Sequence, residues 1–204
     1  MSESILLSTA YLPPIEYIWH ILNTESVSIE TEENYPKQTY RNRCKILTSN
    51  GVLSLSIPVH TGDNPKTVIK DIRIDDSKRW RQNHLRALRS AYSSSPFFLY
   101  YFDDFEKIIT SDTDFLLDLN ISLLELILKI IKVERPILKT DSFVVPDNSA
   151  NDLRYSISPK QESSFIYPTY THTFDTKENI EGLSIIDMIF NVGQETYYLL
   201  TDNI

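Results

Sequence analysis

"SILLSTAYLPPIEYIWHILNTESVSIE", residues 4–30, carries the reading of the fold. "SILLST" (4–9) is a short apolar run that reads as a strand, and "LPP" ends it because proline has no N–H for a ladder. "PIEYIWHILN" then sets Ile15, Ile18, Trp19 and Leu22 at helical spacing, with Pro14 suited to a first helical turn. "SVSIE" (26–30) alternates as a second strand does. Strand, loop, helix, strand is the βαβ pattern of a parallel sheet. Ligands of such sheets bind outside the carboxyl ends of the strands. That rule puts the loop Tyr11–Pro14 beside a prospective site.

Working outward, "NRCKILTSNGVLSLSIPV" (42–59) reads as a hairpin turning at Asn50-Gly51. "VIKDIRI" (68–74) reads as a further strand. "DSKRWRQNHLRALRSAY" (76–92) reads as a helix with Asp76 or Ser77 as its cap, and Trp80, His84, Leu88 and Tyr92 form one stripe. "SSSPFFLYYFDDFEKII" (93–109) gives a second helix with Phe97, Tyr101, Phe105 and Ile108 on one face. The stretch from Ser111, its expected cap, to Val133 gives a third, apolar on most sides and so the most buried. Residues 134–182 lose periodicity and read as loops, with "SFVV" (142–145) the best strand candidate. "LSIIDMIFNVG" (183–193) is a closing helix stopped by Gly193. The expectation is a single α/β domain over residues 1–204: a partly parallel mixed sheet with an attached hairpin, helices packed on it, and 134–182 loop-rich.

The composition removes several classes. With 4 glycines and neither GxGxxG nor GxxxxGK[ST], there is no phosphate-cradling glycine loop. Cys44 is the only cysteine, so no disulfide forms within the chain and a reducing compartment fits best. The N-terminus lacks the basic start and apolar run of a secretory signal. The most apolar stretch, 121–133, is short and carries Glu125, Lys129 and Lys132, so no membrane span is expected. These readings point to the cytoplasm. His20, His60, His84 and His172 are scattered without HxH or HExxH spacing, so no metal site is expected.

Net charge is −8, but it is unevenly spread. Residues 37–89 hold 12 Lys+Arg against 4 Asp+Glu, and no carboxylate falls between Glu33 and Asp63. Within this stretch "ENYPKQTYRNRCKI" (33–46) interleaves Lys37, Arg41, Arg43 and Lys45 with Gln38, Tyr40 and Asn42. As a strand, 39–45 would set Arg41, Arg43 and Lys45 on one face. Three such cations call for an anion or for carboxylates among them. One reading is a focused site for a small phosphate- or carboxylate-bearing ligand. The other is pairing with the acidic remainder. A nucleic-acid partner would need a broader basic face.

His84 reads either as a half-buried histidine or as a general acid/base. Cys44 reads as a small buried hydrophobe or, paired with His84, as a nucleophile. Asp187 and Asn191, four apart in an apolar helix, share a face. They form a structural hydrogen-bond pair or face the basic hairpin across a cleft.

Taken together, "YLPPIEYIWHIL", "ENYPKQTYRNRCKI", "LSIPV", "DIRIDDSKRWRQNHLRALRSAYSSSPFFLYY", "ISPK" and "GLSIIDMIFNVG" resemble the WbqC-like family from about residue 5 to 200. The usual Gln-Pro before the Tyr-Leu is here Ser8-Thr9-Ala10, so nothing is carried over to that position. The resemblance implies a place among proteins of O-antigen and other surface polysaccharide synthesis. It implies a shared site of Tyr11, Gln38, Arg41, Asn42, Arg43, His84, Asp187 and Asn191. The expectation that follows is a transferase on an activated sugar or sugar-linked, anionic substrate. Arg41 and Arg43 would bind a phosphate or carboxylate, Gln38, Asn42 and Asn191 would orient the substrate, Tyr11, Lys37 and Tyr40 would join them in substrate binding, and the catalytic pair would be His84 as acid/base and Asp187 tuning or holding a partner. Rivals are a non-catalytic binding or scaffold protein of the same pathway and a Cys44-dependent hydrolase or acyl transferase. Cofactor and oligomeric state are left open.

Overall fold

The computed structural model describes residues 4–60, 66–146, 149, 151–174 and 181–201. β1 (Ser4–Ser8), α1 (Ile15–Leu22) and β2 (Ser26–Glu30) form the expected parallel unit, with Ile5 beside Val27 and Leu7 beside Ile29. All four side chains are buried, and α1 buries Ile15, Ile18 and Ile21 over them. Alternation in the strands and three-to-four spacing in the helix aim one apolar surface at the other.

β3 (Arg43–Thr48) and β4 (Gly51–Ser56) form the antiparallel hairpin, a sheet of its own. β3 begins at Arg43, so residues 39–42 lie outside it. The expected strand over 68–74 is instead a 3₁₀ turn, Ile69–Asp71, followed by a two-residue strand. β5 (Val59–His60) pairs antiparallel with that strand, β6 (Arg73–Ile74). Ile69 and Ile72 are both fully buried. A step of three brings both inward only if the chain turns between them, which overrides β propensity.

α2 (Trp80–Tyr92) buries Trp80, His84, Leu88 and Tyr92 as its spacing requires. Neither Asp76 nor Ser77 caps it. The Asp76 carboxylate accepts from Trp80 Nε1 and from Arg81 instead. α3 (Phe98–Ile109) buries Phe98, Phe102, Phe105 and Ile109, rotating the expected face by one residue. The Phe97 N–H donates to the Phe190 carbonyl, which fixes that rotation. α4 (Leu116–Ile130) starts well after Ser111, whose hydroxyl closes α3 by donating to Ile108 O. α4 carries more buried residues than the other helices.

β7 (Ile137–Lys139) joins β2 in parallel and gives the order β1–β2–β7. "SFVV" is not a strand: its Val144 N–H donates to the Glu30 carboxylate. Residues 151–153 cover the free edge of β1 through Leu6 N to Asn151 O and Leu153 N to Leu6 O. α5 (Ile185–Val192) is capped by the Ser184 hydroxyl and stopped at Gly193, and α6 (Glu195–Thr201) follows. Buried apolar side chains from Ile5 to Leu200 form one core cluster. The architecture is α/β, with a three-stranded parallel sheet, antiparallel pairs and six helices among the described residues.

Candidate functional site

The loop after β1 is a hub. Leu12 sits there with φ 42°, a left-handed backbone held from both sides. Tyr11 N–H donates to Tyr40 O at 2.8 Å, Ser184 Oγ donates to Leu12 O at 2.8 Å, and Ile185 N–H donates to Pro13 O at 2.9 Å. Ser184 N–H donates to Lys45 O at 2.8 Å and closes the circuit. The β1 loop, the basic segment and the entry to α5 are therefore one hydrogen-bonded unit at the carboxyl end of β1.

A polar cleft of about 290 Å³ opens against this unit. Glu16 of α1, Tyr40 and Lys45 of the basic segment, Lys160, Tyr167 and Glu181 line it. Burial pushes the Glu16 carboxyl up, a hydrogen bond from Ser163 opposes this, and the Glu181 carboxylate adds to the rise. Burial raises Tyr40 and carries Tyr167 to about 12, so both phenols stay protonated donors at neutral pH. Gly182 forms part of the wall with φ +72°, and a Cβ there would collide with the Tyr40 hydroxyl. The cleft sets two ammonium groups, Lys45 and Lys160, and the Tyr40 and Tyr167 phenols beside the carboxyl groups of Glu16, Glu162 and Glu181, a mixed polar lining that can meet both anionic oxygens and hydroxyls.

The basic segment does not present three cations on one face. Arg41 turns inward: Nε and Nη2 donate to the two Glu33 carboxylate oxygens at 2.6 and 2.7 Å, with both side chains buried. Beside it Arg154, fully buried, pairs with Glu30 and Asp152 and accepts from Arg41 Nη2 on its carbonyl. Lys45 alone enters the cleft, its Nζ donating to Glu181 O. Arg43 is half-buried, its Nε donating to Ser56 Oγ, while Lys37 and Gln38 are exposed, Gln38 at φ 60°. Asn42 Nδ2 donates to Ile57 O, clamping the root of the hairpin.

His84 is sealed. Tyr11 Oη lies 2.9 Å from Nδ1, Trp80 packs edge-on against both rings, and the Ser56 backbone faces the imidazole. Burial lowers its pKa to about 4, partly offset by the Ser56 bond. Nδ1 is engaged by Tyr11 and burial favours the neutral ring, so His84 stands enclosed between Tyr11 and Trp80 rather than open to solvent. Burial likewise pushes the nearby Cys44 thiol far up, which leaves no thiolate for a hydrolase.

Asp187, also buried, faces a second set of partners. Tyr92 Oη donates to Oδ2 at 2.8 Å, and Tyr170 Oη and His172 Nδ1 reach Oδ1 at 2.8 and 2.9 Å. Asn191 Nδ2 donates back to the Asp187 carbonyl, and its Oδ1 accepts from Thr173, which meets Ser95. Asp187 and Asn191 thus belong together, but across from them stands the segment 170–173 rather than a row of basic side chains. Tyr170 and His172 went unread because 134–182 lacks periodicity. The alternation in "YTHTF" (170–174) was the available signal.

The structure brings together Tyr40 with Lys45, Tyr11 with His84, Arg41 with Glu33, and Asp187 with Asn191, as neighbouring clusters. Among the described residues no group of three or more His, Cys, Asp or Glu side chains is placed to hold a metal ion. No helix among them is long and apolar enough to cross a membrane.

The model of the WbqC-like protein family matches residues 9–165, the β1 loop, basic hairpin, helical layer and "ISPK" wall of the cleft included. The chain belongs to the WbqC-like family. It is 29% identical over 98 residues to the uncharacterized protein Rv1507c of Mycobacterium tuberculosis, a match covering 48% of this chain and 42% of that protein. The chain therefore spans less than half the length of that curated relative in the match. No solved structure matches.

Proposed function

We propose that this WbqC-like protein is a transferase-type enzyme of surface polysaccharide synthesis that binds an anionic, sugar-linked substrate in the cleft between Lys45 and Lys160. The observation that carries the reading is the convergence of the family's separate segments on that one cleft: α1 through Glu16, the basic segment through Tyr40 and Lys45, "ISPK" through Lys160 and the α5 entry through Gly182. Lys45 and Lys160 supply the charge for a phosphate or carboxylate, and Tyr40 and Tyr167 supply donors for sugar hydroxyls. Glu16, held towards its protonated form, is the group suited to protonate a departing oxygen. Arg41, expected to bind the anion, is assigned instead to holding the loop that carries Tyr40.

The test is a thermal-shift panel of nucleotide sugars, free nucleotides, acyl-CoA and inorganic phosphate. A ligand at 100 times its Kd stabilises by about 2.7 kcal/mol, which raises Tm by several degrees at this size. Nucleotide sugars should raise Tm in the parent protein and fail to do so in Lys45→Ala/Lys160→Ala. A shift that survives the double substitution places the anion elsewhere. A shift without any turnover in the presence of acceptor sugars favours the non-catalytic binding protein, which the sealed His84 also suits.

A further inference from the structure

We infer that the cavity between the end of α4 and the start of β7 is a binding site for an amphipathic anion, an apolar chain carrying a phosphate. The inference does not rest on the cleft or on its substrate. The cavity holds about 780 Å³, against about 290 Å³ for the cleft. Ligand sites run from about 300 to 1,000 Å³ and combine apolar walls with a few placed polar groups. Leu128, Val133, Pro136 and Ile137 give the apolar part here, and Lys129, Lys132 and Arg135 bring three cations against the carboxylates of Glu125 and Glu134. The lining shares no residue with the cleft. Because β1, β2 and β7 run parallel, the start of β7 lies at the end of the sheet opposite the loop after β1.

The cations themselves point to an anion. Elsewhere Arg41, Arg73, Arg81, Arg89 and Arg154 each meet a carboxylate. Among the described residues no carboxylate pairs with Lys129, Lys132 or Arg135. Glu125 stands four residues before Lys129 on α4, the spacing that favours a pair, and still the two do not meet. Arg135 Nη1 is enclosed and has no hydrogen-bond partner. An enclosed N–H without an acceptor is costly, and an anion on the guanidinium would supply acceptors. Three cations suit a phosphate, which brings up to two charges and three acceptor oxygens.

The backbone carries a second, independent mark. Lys132 adopts φ 58°. It closes α4, with Val133 N–H donating to Leu128 O at 2.9 Å and Lys132 N–H to Lys129 O at 3.1 Å. This way of ending a helix normally takes glycine at the left-handed position, because a Cβ is strained there. A lysine in that place accepts the strain and sets a charged side chain on the cavity wall. The other left-handed non-glycine residues, Leu12 and Gln38, lie in the loop after β1 and in the basic segment. Backbone of this kind gathers at ligand sites. Lys129 and Lys132 also complement the negative end of α4, but that role requires neither a left-handed lysine nor an Arg135 without a partner.

The test is isothermal titration calorimetry of the intact protein with octyl phosphate, octyl glucoside and inorganic phosphate, each below its micelle range. Octyl phosphate alone has both the chain and the charge, and should bind at one site about tenfold or more tighter than either control. Lys132→Gly should weaken it by about fivefold or more while Tm stays at or above the parent's, because glycine relieves the backbone. Arg135→Gln should weaken it by a similar factor. Lys45→Ala/Lys160→Ala should leave it unchanged, which separates this site from the cleft. Octyl phosphate that fails to bind, or binds no tighter than octyl glucoside or inorganic phosphate, overturns the inference. So does binding that persists unchanged in Lys132→Gly/Arg135→Gln, or that is lost in Lys45→Ala/Lys160→Ala, since either places the anion elsewhere.

Discussion

Two histidines, His84 and His172, sit in the same fold with opposite surroundings. His84 lies between Tyr11, Trp80 and the Ser56 backbone, with Nδ1 bonded to the Tyr11 hydroxyl. His172 is tied by one nitrogen to a buried carboxylate and keeps part of its ring in solvent. The first has the surroundings of a hydrogen-bonded core residue. The second is held by one hydrogen bond among the described residues and is partly open to solvent. The same contrast divides the basic segment, where Arg41 is locked to Glu33 and Lys45 faces a cleft. Side-chain type says what a residue can do, and the number of occupied polar atoms says what it is free to do.

The strongest way to break that contrast is on its sealed side. Arg41→Ala removes a buried guanidinium and leaves Glu33, almost wholly enclosed, without its bidentate partner. An orphaned buried charge costs about 3–5 kcal/mol. The variant should lose that much stability by urea unfolding, whereas Lys45→Ala should stay within about 1 kcal/mol of the parent. Equal costs would mean that Arg41 is not sealed in solution.

His84 gives a pH signature of the same division. Its folded pKa is about 4 against an ordinary 6.5, so between those values the unfolded chain binds more protons than the fold. Stability contributed by the neutral ring is whole above about pH 6.5 and is lost as pH falls towards 4, by about 3 kcal/mol in all. His84→Gln keeps a donor and an acceptor for Ser56 and Tyr11 but cannot titrate. Its stability should fall less steeply over that window than the parent's, read as the difference between two melting series. Parallel slopes would show that His84 is not buried neutral.

Much of this organisation was legible in the residues. Alternation in 4–8 and 26–30 and the proline-led stripe of α1 specify the parallel unit, because one apolar face on each element leaves one way to bury both. Asn50-Gly51 specifies the hairpin. The family segments pointed to Tyr40 and to the Asp187–Asn191 face. What could not be read was which polar group meets which. Glu33 and Arg41 are eight residues apart and Glu30 and Arg154 more than a hundred, so only the folded chain pairs them. Residues 165–173 adopt no regular element; Tyr170 and His172 are held by Asp187, and Phe165 and Tyr167 by Trp19 and Gly182, rather than by local propensity. Short strands such as β7 are set by the open edge of β2 rather than by their own three residues.

Arg43 offers the smallest effect and the sharpest boundary. It stands two residues from Arg41 and two from Lys45, yet it has neither's surroundings: its Nε meets only the Ser56 hydroxyl on the hairpin's exposed side. Arg43→Ala should change stability by no more than about 0.5 kcal/mol, as removal of a solvated side chain does. Its consequence for binding is where the two sides of the segment meet. If the anion sits in the cleft, the Arg43 charge acts on it only through solvent, and Arg43→Ala should weaken binding a few-fold at low salt and not at all at high salt. Loss of binding as complete as in Lys45→Ala, independent of salt, would mean that the anion reaches out of the cleft to a direct guanidinium contact, and the site would then extend along β3 to its first residue.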